Sequence, residues 1–216
     1  AITLKDHPHN PTPIIAGNVS FYNESKNGPI PPSPIVSCLG RFKNVNKAVP
    51  AHFQNIDSVI LLIGERKNEL GGSVYYSLKN ELGANVPKPN FEEVKNQIFA
   101  LTDCIDGGLV LSCHDIADGG VASALAEMTF KNSIGCNVSI ESDLSPDKIL
   151  FSETGGFILE VLPKNIDTIK SVFSNYELGV FEIGSTGGES IQINGITDIF
   201  VSEIKKAWTN GLREKL

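Results

Sequence analysis

Proline is crowded into one end of this sequence. Seven of its twelve prolines stand at positions 8, 11, 13, 29, 31, 32 and 34, and a residue without a backbone N–H fits neither a helix interior nor a central strand. The first 50 residues are therefore expected to hold short strands and loops. Ile14-Ile15-Ala16 and Ile35-Val36-Ser37-Cys38-Leu39 read as two buried strands, bounded by proline and glycine and flanking a loop. Two strands without a helix cannot close a core. The stretch thus reads as the tail of a domain beginning upstream of Ala1, and the absence of an initiator Met makes Ala1 look like a cut or processed start.

Beyond Pro50 the pattern changes to strand and helix in alternation. Val59-Ile60-Leu61-Leu62-Ile63 is a continuous apolar run of the kind covered on both faces. Gly71-Gly72-Ser73 is expected to open a helix reaching about Leu82, and Phe91, Val94, Ile98 and Leu101 recur at helical spacing up to a stop at Gly107-Gly108. Further strands are expected at Leu109–Cys113, Asn137–Ile140, Phe157–Val161 and Ile191–Ile193. Further helices are expected at Val121–Met128, Ile166–Phe173 and Ile199–Leu216, the last carrying Trp208. This describes one compact domain over residues 55 to 216, with helices covering a mixed sheet. Of five adjacent glycine pairs, Gly71-Gly72 and Gly119-Gly120 fall where helices begin, whereas Gly107-Gly108, Gly155-Gly156 and Gly187-Gly188 read as plain turns.

Bulk properties exclude several classes of function. Eighteen basic against twenty-five acidic residues leave a net charge of −7, which repels a phosphate backbone and argues against nucleic acid as partner. The longest aliphatic run, Val59 to Ile63, is far short of the ~20 apolar residues of a membrane span, and the start has no signal-peptide character. Cys38, Cys104, Cys113 and Cys136 form no C-x-x-C pair, so they read as buried thiols in a reducing cytoplasm.

Four segments can carry chemistry. Gly17-Asn18-Val19-Ser20-Phe21-Tyr22-Asn23-Glu24 follows a strand and offers backbone amides, an amide side chain and hydroxyls to phosphate or a hydrated metal, although an Asx or Ser turn reads the same way. His114-Asp115-Ile116-Ala117-Asp118-Gly119-Gly120 places an imidazole and two carboxylates at the carboxyl end of a strand. An N-cap role explains Asp118 but not His114-Asp115, and such oxygen-rich clusters suit Mg²⁺ with its phosphates. Ser152-Glu153-Thr154-Gly155-Gly156 and Glu69-Leu70-Gly71-Gly72-Ser73 could cradle an anion on backbone amides or could be turns and caps. Asp6-His7-Pro8-His9 resembles a metal pair only superficially, and His52 and Trp208 read as packing residues.

Taken in order, G-N-V-S-F-Y-N-E, G-P-I-P-P-S-P-I-V, E-L-G-G-S, H-D-I-A-D-G-G-V-A-S-A-L-A-E-M and F-S-E-T-G-G resemble the C-terminal part of phosphoribosylformylglycinamidine synthase. The likeness is to the short-form synthetase subunit, within the aminoimidazole ribonucleotide synthetase superfamily, and runs from about Pro13 to Trp208. It implies an α+β fold: a three-layer α/β/α C-type domain with a mixed sheet over residues 51–216, preceded at 1–50 by the end of an N-type, ATP-binding domain. The implied reaction is ATP-dependent. The formyl amide oxygen of formylglycinamide ribonucleotide is phosphorylated, and ammonia, drawn from glutamine by a separate glutaminase subunit, displaces the phosphate. At matching positions Gly17 would contact ATP, Asn18 and Asp115 would bind Mg²⁺, and Ser20 would touch the substrate. In the long form a serine of the H-D motif contacts nucleotide; Ala117 stands there in this chain.

The serine-glutamate loop usually continues to an arginine, but Thr154-Gly155-Gly156-Phe157 brings none, so a substrate-phosphate role does not extend to it. The family's catalytic histidines fall upstream of Ala1, which implies no catalytic residue here, an inactive isolated chain, and partners in the remaining N-terminal part, the glutaminase and a small accessory subunit. The alternative is a non-catalytic assembly or docking module of a related synthetase. A superfamily member making a different activated phosphate is a third reading, against which G-N-V-S-F-Y-N-E argues.

Overall fold

The computed structural model describes residues 3–4, 7–18, 22–30, 35–42 and 44–211. The chain divides into two units, Ala1–Asn46 and Lys47–Leu216.

In the first unit, β1 (Thr3–Leu4) pairs antiparallel with β2 (His7–Pro11), and β3 (Glu24–Ser25) with β4 (Gly28–Pro29). The second ribbon is closed by the Ser25 hydroxyl, which donates to the Gly28 carbonyl at 3.2 Å and accepts from the Asn27 amide at 3.1 Å. The two buried strands expected here are not formed. Residues 14–16 and 35–39 belong to no strand, and Ile14 and Ile35 are 95% and 92% exposed. The ribbons of this unit are too short to offer a pleated face, and the described residues of the unit include no α-helix to lay across one. Cys38 lies in the same uncovered stretch and is exposed, against the expectation of a buried thiol.

The second unit is the expected three-layer fold. Its elements run β5 (Val59–Ile63), α1 (Val74–Ser77), α2 (Phe91–Asp106), β6 (Val110–Asp115), α3 (Gly120–Thr129), β7 (Cys136–Val138), α4 (Pro146–Phe151), β8 (Phe157–Val161), α5 (Ile166–Ser174), β9 (Val180–Thr186), β10 (Ser190–Ile193), β11 (Thr197–Phe200) and α6 (Val201–Asn210). The seven strands form a mixed sheet in the order β11-β10-β7-β9-β5-β8-β6, with β10 parallel to β7 and the other neighbours antiparallel. Alternation along β5 sends Ile60 and Leu62 into a core with Val121, Leu125 and Met128 of α3 and Ile149 of α4. Leu61 and Ile63 enter the opposite core with Ala100 and Cys104 of α2 and Ile169 and Phe173 of α5. No helix among the described residues is long and apolar enough to cross a membrane.

One charged side chain interrupts this apolar interior. Glu160 of β8 is 0% exposed. Its carboxylate accepts from the Gln54 and Asn55 amides at 2.8 and 2.9 Å and from the Ser112 hydroxyl at 2.7 Å, so a buried charge is compensated by fixed donors. The Pro50 carbonyl accepts from the Cys113 amide at 3.0 Å, and the Phe53 amide donates to the Met128 carbonyl at 2.8 Å. The incoming segment is thereby tied to both β6 and α3.

Several boundaries differ from the sequence reading. The helix after Ser73 is a single turn, with Leu78 and Leu82 80% and 78% exposed. The Gly71 and Gly72 amides donate to the Asn85 and Leu82 carbonyls at 2.7 Å each, so the chain must fold back rather than continue helically. Gly156 is more than a turn residue: its φ is +124°, and a Cβ there would lie 2.3 Å from the Ile63 carbonyl oxygen. Helix α4 and strand β9 are additional elements, and β11 takes Ile199 and Phe200 from the expected last helix. That helix ends at Asn210, and residues 212–216 lie outside the described ones. Trp208 rests 5.3 Å from the Phe130 ring but stays 63% exposed, a surface contact rather than a core one.

Two measurements check this core. Glu160→Ala strands three donors in the interior and is expected to cost about 3 kcal/mol, read as a lower urea midpoint. Burial pushes the Cys104 thiol up to about 11 and the Cys113 and Cys136 thiols up to about 12. At pH 8 the native chain should therefore consume about one equivalent of a disulfide reagent, at exposed Cys38, and the other three only after unfolding.

Candidate functional site

The carboxyl end of β6 delivers His114 and Asp115 side by side. The His114 Nδ1 lies 2.7 Å from the carbonyl oxygen of Asp115, and Nε2 lies 3.0 Å from Oε2 of Glu127 on α3. These contacts hold the imidazole between strand and helix, with 17% of its side chain exposed, while the Asp115 side chain is 67% exposed. Asp115 thus points its carboxylate at solvent from a rigid strand end. The loop that follows turns at Gly119, whose φ is +76° and which, rather than Asp118, is the N-cap of α3. Gly120, with φ +66°, lets α3 start against the end of α4: a Cβ there would sit 2.6 Å from the Leu150 carbonyl oxygen.

His114, Asp115, Ala117, Asp118, Ser123 and Glu127 line a cavity of about 310 Å³. His114 and Glu127 also form one wall of a neighbouring cavity of about 390 Å³, lined further by His52, Phe130, Lys131 and Trp208. Burial, and then Lys131, hold His52 below the usual imidazole range, against an opposing pull from Glu160. In the first cavity three carboxylates face a single imidazole, so an anion could not settle there without a cation between.

The S-E-T-G-G loop knots into its surroundings. The Ser152 hydroxyl donates to the Lys67 carbonyl at 2.8 Å, and the Thr154 hydroxyl to Oε2 of Glu69 at 2.8 Å. Oε1 of Glu153 accepts both the Val74 amide and the Gly119 amide, each at 2.9 Å. Arg66 Nη2 donates to the Gly155 carbonyl at 2.5 Å. Arg66 is 8% exposed, and its Nε and Nη1 have no hydrogen-bond partner among the described residues. Burial pushes it down to about 10, with Glu69 acting in the opposite sense. The loop lacks a cation in sequence, but Arg66 brings one to it from the segment after β5.

Of the residues singled out from sequence, Asp115 lies at the cavity. Gly17 and Asn18 belong to the first unit and are exposed, and Ser20 lies outside the described residues. The described residues contain no group of three His, Cys, Asp or Glu side chains arranged for a metal ion. What they offer is one well-presented carboxylate oxygen at Asp115, which fits Mg²⁺ in its usual mode of one or two protein carboxylates, with phosphate and water completing the shell. Glu127 and Arg66 are not marked in the sequence as part of the site, and Glu153 is marked only as a member of the S-E-T-G-G segment. Glu127 lay unremarked within the H-D-I-A-D-G-G-V-A-S-A-L-A-E-M run, and nothing local marked Arg66.

A model of the family described as AIR synthase related protein, C-terminal domain, matches residues 55–194. The chain is 36% identical over 220 residues to the phosphoribosylformylglycinamidine synthase subunit PurL of Methanothrix thermoacetophila, a match covering 99% of this chain and 29% of that protein. The structure of T. maritima PurL complexed with FGAR aligns with a TM-score of 0.65 at 19% identity, over 74% of this chain and 30% of that one. T. maritima PurL complexed with ATP aligns at 0.59 and 20%, over 74% and 28%. These structures share the three-layer fold, and the chain spans less than a third of the length of the relatives it matches.

Proposed function

Since the chain belongs to the family of AIR synthase related C-terminal domains, we propose that it is the C-terminal part of a synthetase acting on formylglycinamide ribonucleotide in purine biosynthesis. In this reading residues 1–50 close an ATP-binding N-type domain and residues 51–216 form the C-type domain after it. The observation that carries the proposal is the outward carboxylate of Asp115 beside Asp118 and Glu127 at the rim of the first cavity. A triphosphate is repelled by such a surface unless a divalent cation stands between them, and ATP travels with Mg²⁺.

Asp115 would give an oxygen to that ion; in the first unit Asn18 would bind Mg²⁺, Gly17 would approach the nucleotide with its backbone, and Ser20 would touch the substrate. The ion, when bound, neutralises phosphate charge as the formyl oxygen is activated for displacement by ammonia. His114 and Glu127 keep Asp115 on its strand end. The catalytic groups would come from the remaining N-terminal part. Ammonia would come from a glutaminase subunit acting on glutamine, with a small accessory subunit joining them in the cytoplasm. Support comes from the relatives: the M. thermoacetophila protein is a subunit of phosphoribosylformylglycinamidine synthase, and T. maritima PurL has been obtained with FGAR and with ATP.

A second reading, a non-catalytic docking module, draws on the exposed Ile14, Ile15, Ile35, Val36 and Leu39 of the first unit, which suit a covering partner. One experiment separates the two. The purified chain is combined with the missing N-terminal part, a glutaminase, glutamine, ATP and formylglycinamide ribonucleotide, and product is followed. The chain alone should be inactive, and Asn18→Ala or Asp115→Asn should each lower the reconstituted rate at least about tenfold, the effect of some 1.4 kcal/mol of lost transition-state stabilisation. Unchanged rates in both variants would leave the docking module as the surviving reading.

A further inference from the structure

We propose that Glu153 is the positioning residue of the Asp115 loop: its carboxylate joins the two helix-opening glycine turns and sets where Asp115 and Asp118 stand. The inference rests on the reading of Asp115 as a metal ligand.

A single oxygen, Oε1 of Glu153, accepts the amide of Gly119, 34 residues before it, and the amide of Val74, 79 residues before it. Those amides lie just past the pairs Gly71-Gly72 and Gly119-Gly120, or within them. Backbone N–H groups at such turns are the usual receivers of an anion, and here a carboxylate of the chain already fills that place. The carboxylate is itself held. Ser152, 0% exposed, anchors to the Lys67 carbonyl; Thr154 anchors to Glu69; and Arg66 grips the Gly155 carbonyl. Glu153 therefore extends from a fixed loop to the turn that follows β6.

The consequence falls on the turn from Asp115 to Gly119. Its start is fixed by β6, where the Ile116 amide donates to the Gly156 carbonyl at 2.9 Å. Its end is fixed by Glu153 through Gly119, so the two carboxylates between these points have a set direction. The S-E-T-G-G loop thus acts on both ends of the turn, through the Gly156 carbonyl and through Glu153. The Val74 and Gly119 amides, at turns that could have cradled phosphate, are thereby occupied by a carboxylate of the chain itself.

The test uses the 216-residue chain as wild type, Glu153→Ala, Glu153→Gln and Asp115→Asn, with ¹H–¹⁵N spectra read alone and during titration with Mn²⁺, whose paramagnetism broadens nearby amides. Glu153→Ala should move the Val74 and Gly119 amides upfield, shift Asp115 and Ile116 with them, and require at least about tenfold more Mn²⁺ for equal broadening at Asp115, as for loss of an outer support of a metal ligand. Glu153→Gln keeps an acceptor oxygen and should hold the amide positions, serving also as the folded variant if the alanine form is unstable. If Glu153→Ala and Glu153→Gln both broaden as wild type does while Asp115→Asn does not, the positioning role is overturned and the metal-ligand reading stands. If Asp115→Asn broadens like wild type, or wild type shows no broadening there, both fall.

Discussion

The second unit is organised around a charge that its sheet cannot expose. Glu160 sits in β8, next to the interior strand β5, on the face shared with Phe53 and Met128. A carboxylate in that position costs several kcal/mol unless donors are delivered to it. Two of its donors come from the backbone of the incoming segment and one from the adjoining strand β6. The same segment pairs with β6 through Pro50. The buried charge thus fixes where the chain enters, and with it the lateral placement of the strand that ends in His114 and Asp115.

At the far end of that strand a similar solution recurs with the opposite purpose. Glu153 also accepts backbone amides, but at the rim, where its donors belong to segments outside the sheet. Both carboxylates exploit the strength of charge-assisted hydrogen bonds to backbone N–H groups. Around the rim the carboxylates of Asp115, Asp118 and Glu127 outnumber the imidazole of His114, and the net field favours cations.

How much of this was written in the sequence depends on the reach of the interaction concerned. The apolar run at Val59–Ile63, the helical spacing through Phe91–Leu101 and the stop at Gly107-Gly108 are local patterns, and each element formed where its pattern stood, although α2 buries Gln97, Ala100, Leu101 and Cys104 and leaves Phe91 82% exposed. Ser145-Pro146 is an equally local helix start, so α4 was legible though unread. Strand β9 was not legible, because its short Phe181-Glu182-Ile183-Gly184 alternation does not mark one buried face: the pairing with β5 shifts register there, Ile183 is buried while Phe181 is exposed, and a Cβ at Gly184 would strike the Asn137 carbonyl of its neighbour β7. Ile14–Ala16 and Ile35–Leu39 misled for a different reason: an apolar run records a preference for cover, not whether anything lies opposite. In the site, His114 and Asp115 could be found from their place after a strand. The reach of Glu153 to Val74, or of Arg66 to Gly155, joins residues 79 and 89 positions apart and leaves no periodic trace.

The strand order carries a temporal consequence. Interior β5 has as its neighbours β8 and β9, and β7 has β9 and β10, so none of these contacts joins strands consecutive in sequence. Loop-closure entropy must be met before such pairings stabilise anything. During synthesis the aliphatic stretch of β5 waits uncovered until Phe157–Val161 and Val180–Thr186 have emerged. This unit therefore folds late and nearly all at once, and its most sheet-prone segment is also the one longest exposed to a wrong partner.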